Sequence, residues 1–122
     1  MKTVRFASVI FLILLIAVTL NSIAIGNIIS DLTEKLTFAE EENMAAAKDE
    51  YELIYKKYKS YEMYISLTVS HDDLANLEDA FAEIIGAAKA GDRDGVITTK
   101  YRLINCLGHI KRLSGINIYS VF

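Results

Sequence analysis

One apolar and uncharged segment decides the architecture of this chain: Phe6-Ala7-Ser8-Val9-Ile10-Phe11-Leu12-Ile13-Leu14-Leu15-Ile16-Ala17-Val18-Thr19-Leu20. Ten of the twelve residues from Val9 to Leu20 are Val, Ile, Leu or Phe, and no charge occurs in the 25 positions between Arg5 and Asp31. As a helix these positions extend roughly 37 Å at about 1.5 Å per residue, enough for a hydrocarbon layer of about 30 Å. We therefore predict a transmembrane helix, whose membrane-facing residues include Phe6, Phe11, Leu15 and Leu20.

The charges on either side of the segment predict its orientation. Lys2 and Arg5 precede it, whereas the stretch from Asp31 to Glu42 contains five acidic residues and one lysine. The positive-inside rule places the N-terminus in the cytoplasm and residues 31–122 on the outer side of the cell membrane.

A secretory signal peptide is the alternative to an anchor. Ser22-Ile23-Ala24 offers the small residues of a cleavage site, and cleavage after Ala24 would give a secreted protein. The chain does not become polar after this point, because Ile25, Ile28 and Ile29 keep it apolar. We therefore favour an uncleaved, single-pass anchor within residues 1–30.

The composition predicts that the rest of the chain is helical. Its 122 residues include no proline and only six glycines, so few positions break a helix. Residues 31–122 suffice for one small domain, which we expect to be an antiparallel bundle of three to four helices in an all-α fold.

The part of the chain after the apolar segment is acidic. Removing Lys2 and Arg5 from the 13 basic residues leaves 11 against 16 acidic ones, a net charge of −5. This balance argues against nucleic acid as a partner and against a polybasic patch for anionic lipid.

Apolar residues recur at spacings of three and four in three segments of this domain, the pattern of helices that pack on one another. Five of the seven tyrosines lie between positions 51 and 64. We expect their rings in the core and their hydroxyls at its rim, with an aromatic ligand-binding groove as the alternative. The predicted helix-interface residues are Tyr51, Ile54, Tyr58, Tyr61, Ile65, Leu77, Phe81, Ile84, Leu103, Leu107 and Ile110.

Polar residues mark two of the expected helix starts. Ser70 and Asp73 form a capping-box pattern, in which the serine accepts from a backbone N–H and the aspartate reaches back. Gly91 supplies the positive φ of a turn, after which Asp92 caps the last helix.

Two other regions leave alternatives open. Residues 31–43 permit either one helix continuous with the anchor or a tight turn capped by Asn43, and we expect Glu40-Glu41-Glu42 on a solvated helix face. The last helix is expected to end near Gly115. The apolar tail, residues 116–122, then packs on the bundle, on a partner or at the membrane surface.

The chain resembles a bacterial family, domain of unknown function 4363, at two stretches: Ser66-Leu67-Thr68-Val69-Ser70-His71-Asp72-Asp73-Leu74 and Leu103-Ile104-Asn105-Cys106-Leu107-Gly108-His109-Ile110. Its members are small proteins of Gram-positive bacteria with an N-terminal membrane segment. The likeness extends over nearly the whole chain, and the order of the motifs is its specific part. Family members often have Trp where this chain has Met44 or a Tyr near Tyr61, and Gly108 replaces a bulkier residue. The resemblance implies an outward-facing helical domain on one membrane helix, with no established activity.

One group of residues has the chemistry of a metal site. If the last two helices fold back at Gly91, residues whose numbers sum to about 182 face one another. His71 then lies within about a turn of His109 and close to Glu78. Two imidazoles and a carboxylate suit zinc or a pH-sensitive contact. Helix capping by His71 and a favourable dipole contact of His109 are the simpler interpretation.

The same register places His71 opposite Lys111, and Gly108 against Leu74, where a glycine permits close backbone approach. The single cysteine, Cys106, lies in a helical pattern. We expect a small buried side chain at this position, with a reactive thiol as the alternative.

No catalytic motif accompanies these residues. The sequence has no glycine-rich phosphate loop, no Ser or Cys with a plausible catalytic base beside it and no His-Glu-x-x-His. We therefore expect a non-enzymatic single-pass membrane protein, without a required cofactor. Its outer bundle would serve as an interaction or accessory module for another membrane or envelope protein, or for a second copy. Asn21, Gly26 and Asn27 are small or polar residues suited to helix contacts in the membrane. The alternative is a metal- or ligand-binding sensor that uses His71 and His109.

Overall fold

Four α-helices form the described part of the chain: α1 (Lys2–Thr37), α2 (Met44–Ile65), α3 (His71–Lys89) and α4 (Arg93–Val121). The structure is a computed structural model, which describes the backbone of residues 2–121 and the side chains of residues 2–113. Each helix packs on the next, and α4 closes the ring against α1. The result is an up-down-up-down bundle without a strand in residues 2–121, which confirms the predicted all-α fold class.

The N-terminal part of α1 exposes its apolar side chains. Phe6 is 69% exposed, Phe11 61% and Leu20 61%, while Leu15 is half-buried. Among the described helices, only α1 is long and apolar enough to cross a membrane. The hydroxyl of Thr19 donates to the carbonyl of Leu15 at 2.9 Å, so this polar group is satisfied within the helix itself.

The C-terminal part of α1 belongs to the bundle. Its buried residues recur at spacings of four, three and four and are at most 1% exposed: Ile25, Ile29, Leu32 and Leu36. The bundle core therefore begins near residue 25. The predicted domain boundary between residues 30 and 31 lies inside the part of α1 that forms the core.

The predicted helix-interface residues all contribute to the core. Tyr61 is half-buried and packs against it, and the other ten are at most 6% exposed. The ring of Tyr58 stacks on that of Phe81 with centroids 5.3 Å apart, and Tyr55 lies 5.4 Å from Phe81. This aromatic cluster joins α2 to α3.

Two tyrosine hydroxyls are not at the predicted rim. Tyr51 and Tyr58 are completely buried, and neither hydroxyl has a hydrogen-bond partner within the described residues. Burial raises the pKa of both phenols well above the usual value. The prediction was wrong for these two tyrosines because their rings lie so deep in the core that the hydroxyl groups do not reach its rim. The hydroxyl of Tyr55, by contrast, donates to Glu78 at 2.8 Å at the edge of the α2–α3 interface.

The turn between α1 and α2 combines both alternatives considered for residues 31–43. Helix α1 continues to Thr37, and the side chain of Asn43 then caps α2 by accepting from the backbone N–H of Ala46 at 3.2 Å. The three glutamates of this turn are not on a solvated helix face. The segment is not helical, and the carboxylate of Glu40 accepts from the backbone N–H of Asn43 at 3.2 Å.

A buried lysine fastens this turn to α4. Lys100 is 4% exposed, and its ammonium donates to the carbonyl of Ala39 at 3.1 Å and to the carboxylate of Glu41 at 2.7 Å. Arg93 pairs with Glu42 at 3.1 Å a short distance away. The acidic run thus supplies partners for basic residues of α4.

The other two helix starts use the predicted caps. Ser70 accepts from the backbone N–H of Asp73 at 3.2 Å, although the Asp73 carboxylate accepts from the Ser70 hydroxyl rather than from its backbone. Gly91 has a φ of 72°, and Asp92 accepts from the N–H of Gly95 at 3.0 Å. These contacts satisfy N–H groups that have no partner within their own helix.

Helix α4 continues to Val121, past the end expected near Gly115. A single glycine weakens a helix by only about 1 kcal/mol, and no proline follows it. The side chains of residues 114–122 lie outside the described residues, so the predicted packing of the apolar tail stays a prediction.

Candidate membrane anchor and interaction groove

The three residues predicted as metal ligands do not meet in the structure. His109 faces Asp73, with Nε2 and Oδ1 3.7 Å apart, which matches the predicted register of the α3–α4 hairpin. Glu78 lies five residues after Asp73, a rotation of about 140° around the helix, and therefore faces α2. It binds the Tyr55 hydroxyl and the Lys59 ammonium there.

His71 is exposed at the first position of α3. Within the side chains that the structure describes, no group of three or more His, Cys, Asp or Glu residues could hold a metal ion. Cys106 is free and half-buried against the core.

Two further predicted contacts are also replaced. Lys111 does not lie against His71, because its ammonium donates to the Ser30 hydroxyl on α1 at 2.9 Å. Gly108 lines a cavity of about 370 Å³ between α4 and α1, and a Cβ at this position would have no atom within 4 Å. The glycine is therefore not required for a close approach of α3 and α4. Both residues lie on the side of α4 that faces α1, which the hairpin argument did not include.

A groove separates α1 from α2 on the outer surface of the bundle. Its volume is about 400 Å³, and Phe38 and Leu53 stand exposed beside it, at 80% and 66%. Aromatic residues, Phe among them, are enriched at protein interfaces relative to the rest of the surface. The residues that line this α1–α2 groove are Lys35, Phe38, Glu50, Leu53, Ile54 and Lys57.

The two lysines that line the α1–α2 groove are both paired with the carboxylate of Asp31. Asp31 lies 2.8 Å from Lys57 and 3.4 Å from Lys35, and both distances join a lysine ammonium to a carboxylate oxygen. The hydrogen bond from Lys57 is the main reason why the pKa of Asp31 is below its usual value. The groove thus offers an apolar centre with a rim of nearly balanced charge, which suits a partner of mixed character rather than a strongly charged one.

The sequence contained signals for two features that were not predicted. Leu53 is apolar but falls off the three-four spacing that Tyr51 and Ile54 follow, which is typical of an exposed contact residue. Lys100 lies on the core stripe of α4, between Val96 and Leu103 at spacings of four and three. A lysine at a core position needs a buried partner, and the acidic turn was available to provide one.

No protein-family model matches the chain, and no curated protein or solved structure matches it. The resemblance to domain of unknown function 4363 stays a prediction.

Proposed function

We propose that this protein is a non-enzymatic, single-pass membrane protein whose helical bundle serves as an accessory or interaction module for another membrane or envelope protein. One observation carries the proposal. The same helix, α1, exposes apolar side chains from Val4 to Leu20 and then supplies core residues from Ile25 onward. Soluble monomers rarely expose an apolar surface of this extent, and a bilayer is the solvent that accommodates it.

The continuity of α1 supports a position of the bundle close to the membrane. Ile25 follows Leu20 by only five positions, about 7.5 Å of helix. A bundle joined in this way lies directly on the membrane surface and does not move on a flexible linker. The α1–α2 groove is then roughly 22–27 Å from the membrane, counted along the axis of α1 from Leu20 to Lys35 and to Phe38, which directly follows the helix. The proposed partner must present a surface at that height.

The proposed orientation places the N-terminus in the cytoplasm and the bundle outside. Its support is the pair Lys2 and Arg5 before the apolar part of α1 and the acidic excess after it. Protease added to cells without a wall is expected to digest the bundle, and protection of the bundle until the cells are lysed would contradict this orientation.

Retention of the anchor is tested by mass. A signal peptidase cut after Ala24 would remove the exposed part of α1 but keep every core residue from Ile25 onward. The core alone therefore does not distinguish a cleaved chain from an intact one, whereas the mass of the protein does. We expect the intact 13.6 kDa chain in the membrane fraction. Leu12→Arg places a charge at the centre of the membrane helix at a cost of about 2.5–3.5 kcal/mol and should lower the fraction of the protein in the membrane, whereas Leu53→Arg should not.

The interaction surface is tested by a photo-crosslinking residue at Phe38 in cells that express the protein at its native level. A matched control has the same residue at Tyr101, which is 67% exposed on α4. A heterologous adduct at position 38 that is absent at position 101 is expected. Monomer alone at both positions would contradict the proposal, and an adduct of twice the chain mass would identify a second copy as the occupant.

A further inference from the structure

We propose that the α2–α3 turn, defined as residues 63–70 and including the last turn of α2, is a second membrane contact, in which Met63 and Leu67 insert into the lipid beside α1. This inference rests on the proposed anchor. It adds a lipid-binding site in the bundle itself and thereby an orientation of the bundle about the axis of α1.

The composition of the turn is unusual for a solvent-exposed connection. Met63 is 82% exposed and Leu67 75%. No charged residue occurs between Glu62 and His71, in a chain of which 24% is charged. Turns in water favour Gly, Asn, Asp and Pro, and this one contains none of them. Instead it presents apolar side chains among hydroxyl groups.

The register of the bundle places this turn at the membrane end. Helices α1 and α2 are antiparallel, and the ion pair between Lys57 and Asp31, at 2.8 Å, indicates their register. Residues of α1 and α2 that lie at the same level have numbers that sum to about 88. By this register Met63 is level with Ile25 of α1, and Leu67 lies about four residues lower, level with Asn21. The exposed apolar surface of α1 ends at this level, since Leu20 is 61% exposed and Ile25 is buried.

The hydrogen bonds of the turn direct it along the axis of α2, towards the membrane end of the bundle. The backbone N–H of Ser66 donates to the carbonyl of Glu62 at 2.8 Å, and that of Val69 donates to the carbonyl of Ile65 at 3.0 Å. These bonds continue the winding of α2 for one more turn before α3 begins. Leu67 is therefore the lowest exposed apolar side chain of the described α2–α3 hairpin.

The charged residues nearby indicate a shallow contact. Asp72 is exposed in the first turn of α3, which starts at the same end of the bundle as the turn. A carboxylate at this height remains among the lipid headgroups, and its charge is offset by the exposed Arg112, which the α3–α4 register places level with Ser70. Apolar insertion rather than charge must then hold the turn, so the contact should form on zwitterionic lipid and persist in high salt.

The absence of tryptophan allows a direct test in the full chain. Three variants each introduce one fluorescent residue: Phe11→Trp in the anchor, Leu67→Trp in the turn and Leu53→Trp at the α1–α2 groove. Leu53 is a matched control, because it is an exposed leucine on the same hairpin but about 20 Å higher along the bundle. Each protein is reconstituted into phosphatidylcholine vesicles whose acyl chains carry bromine, and fluorescence quenching is compared with that in unbrominated vesicles.

The inference predicts strong quenching at position 11, clear quenching at position 67 and none at position 53. The quenching at position 67 should be unchanged in 1 M salt, where the screening length is about 3 Å. Quenching at position 11 without quenching at position 67 would overturn the inference and leave the anchor intact. Equal quenching at positions 53 and 67 would also overturn it, because the bundle would then lie along the surface. No quenching at position 11 would overturn the proposed anchor itself. Circular dichroism of all three variants checks that the helices are unchanged.

Discussion

Removing the hydroxyl groups of Tyr51 and Tyr58 should stabilise the bundle, although both residues belong to the centre of its core. Each side chain is completely buried, and each hydroxyl oxygen lacks a hydrogen-bond partner among the described residues. The change from Tyr to Phe keeps the ring and its contacts, including the stacking of Tyr58 on Phe81 at 5.3 Å. It deletes only a polar group that loses its water on folding.

The magnitude follows from the cost of burying an unpaired hydroxyl. Mutational data place that cost at about 1–3 kcal/mol. The small void left by the oxygen destabilises the variant and so offsets part of the gain. We therefore expect an increase in unfolding free energy of about 1–2 kcal/mol for each substitution. For a bundle of this size, 1 kcal/mol corresponds to a rise in melting temperature of about 4–8 °C.

Tyr55 provides the matched control on the same helix. Its hydroxyl donates to Glu78 at 2.8 Å, so Tyr55→Phe leaves the carboxylate with one donor fewer. That substitution should destabilise the bundle by about 0.5–1.5 kcal/mol. Thermal unfolding of the full chain in one detergent, followed by circular dichroism, gives all three values under the same conditions. If Tyr51→Phe and Tyr58→Phe destabilise the bundle as much as Tyr55→Phe, their hydroxyls have partners and the reasoning is refuted.

The same two residues predict how stability depends on pH. Burial raises the pKa of Tyr51 and Tyr58 in the folded state, whereas the unfolded chain ionises near pH 10. Above about pH 10 the unfolded state therefore binds fewer protons than the folded state, and stability falls as pH rises. The slope is about 1.4 kcal/mol per pH unit for each tyrosine. The double Phe variant should show a shallower fall, and an unchanged slope would contradict the assignment.

Three further predictions concern the helices and the candidate metal ligands. Gly108→Ala should stabilise the bundle by about 0.5–1 kcal/mol in unfolding experiments, because the Cβ enters open space in a helix, whereas Gly91→Ala should destabilise it because of the positive φ. Ile25→Ala should cost about 2–5 kcal/mol, and Ile23→Ala, at a position that is 52% exposed, should cost far less; equal effects would contradict the shared role of α1. Zinc should leave the melting temperature unchanged, and a rise that His109→Ala abolishes would restore the sensor hypothesis.

The spacing of apolar residues predicted most of the bundle because each of its helices has one buried face. Tyr51 and Ile65 on α2, or Leu77 and Ile84 on α3, stand out from charged neighbours and are buried as the three-four pattern requires. The caps at Ser70 and Asp92 were also predictable, since they depend on local backbone geometry alone. Local rules of this kind need no knowledge of which helices are neighbours.

The candidate sites needed that knowledge. Treating α3 and α4 as an isolated hairpin gave the correct register, in which Asp73 lies opposite His109, but it omitted α1 and α2. Lys111 is drawn to α1 by Ser30, and Glu78 is held on the α2 side by Tyr55. A polar side chain near several helices binds the partner that its rotation around the helix permits. The spacing of ligands along one hairpin therefore predicted a metal site that the complete bundle does not assemble.

The proposed division of α1 between membrane and bundle could not be located from hydropathy, because lipid and protein core both select apolar residues. From Val9 to Leu20 every face of the helix is apolar, so no periodicity distinguishes one face from another. The periodicity appears only where polar residues such as Ser30 and Asp31 occupy the outer faces and leave Ile29 and Leu32 on the inner one. In the proposed arrangement, α1 passes from lipid into the bundle core without a linker, so the orientation of the anchor would be transmitted to the bundle. The proposed height of the α1–α2 groove and the proposed contact of the α2–α3 turn with lipid both depend on that connection.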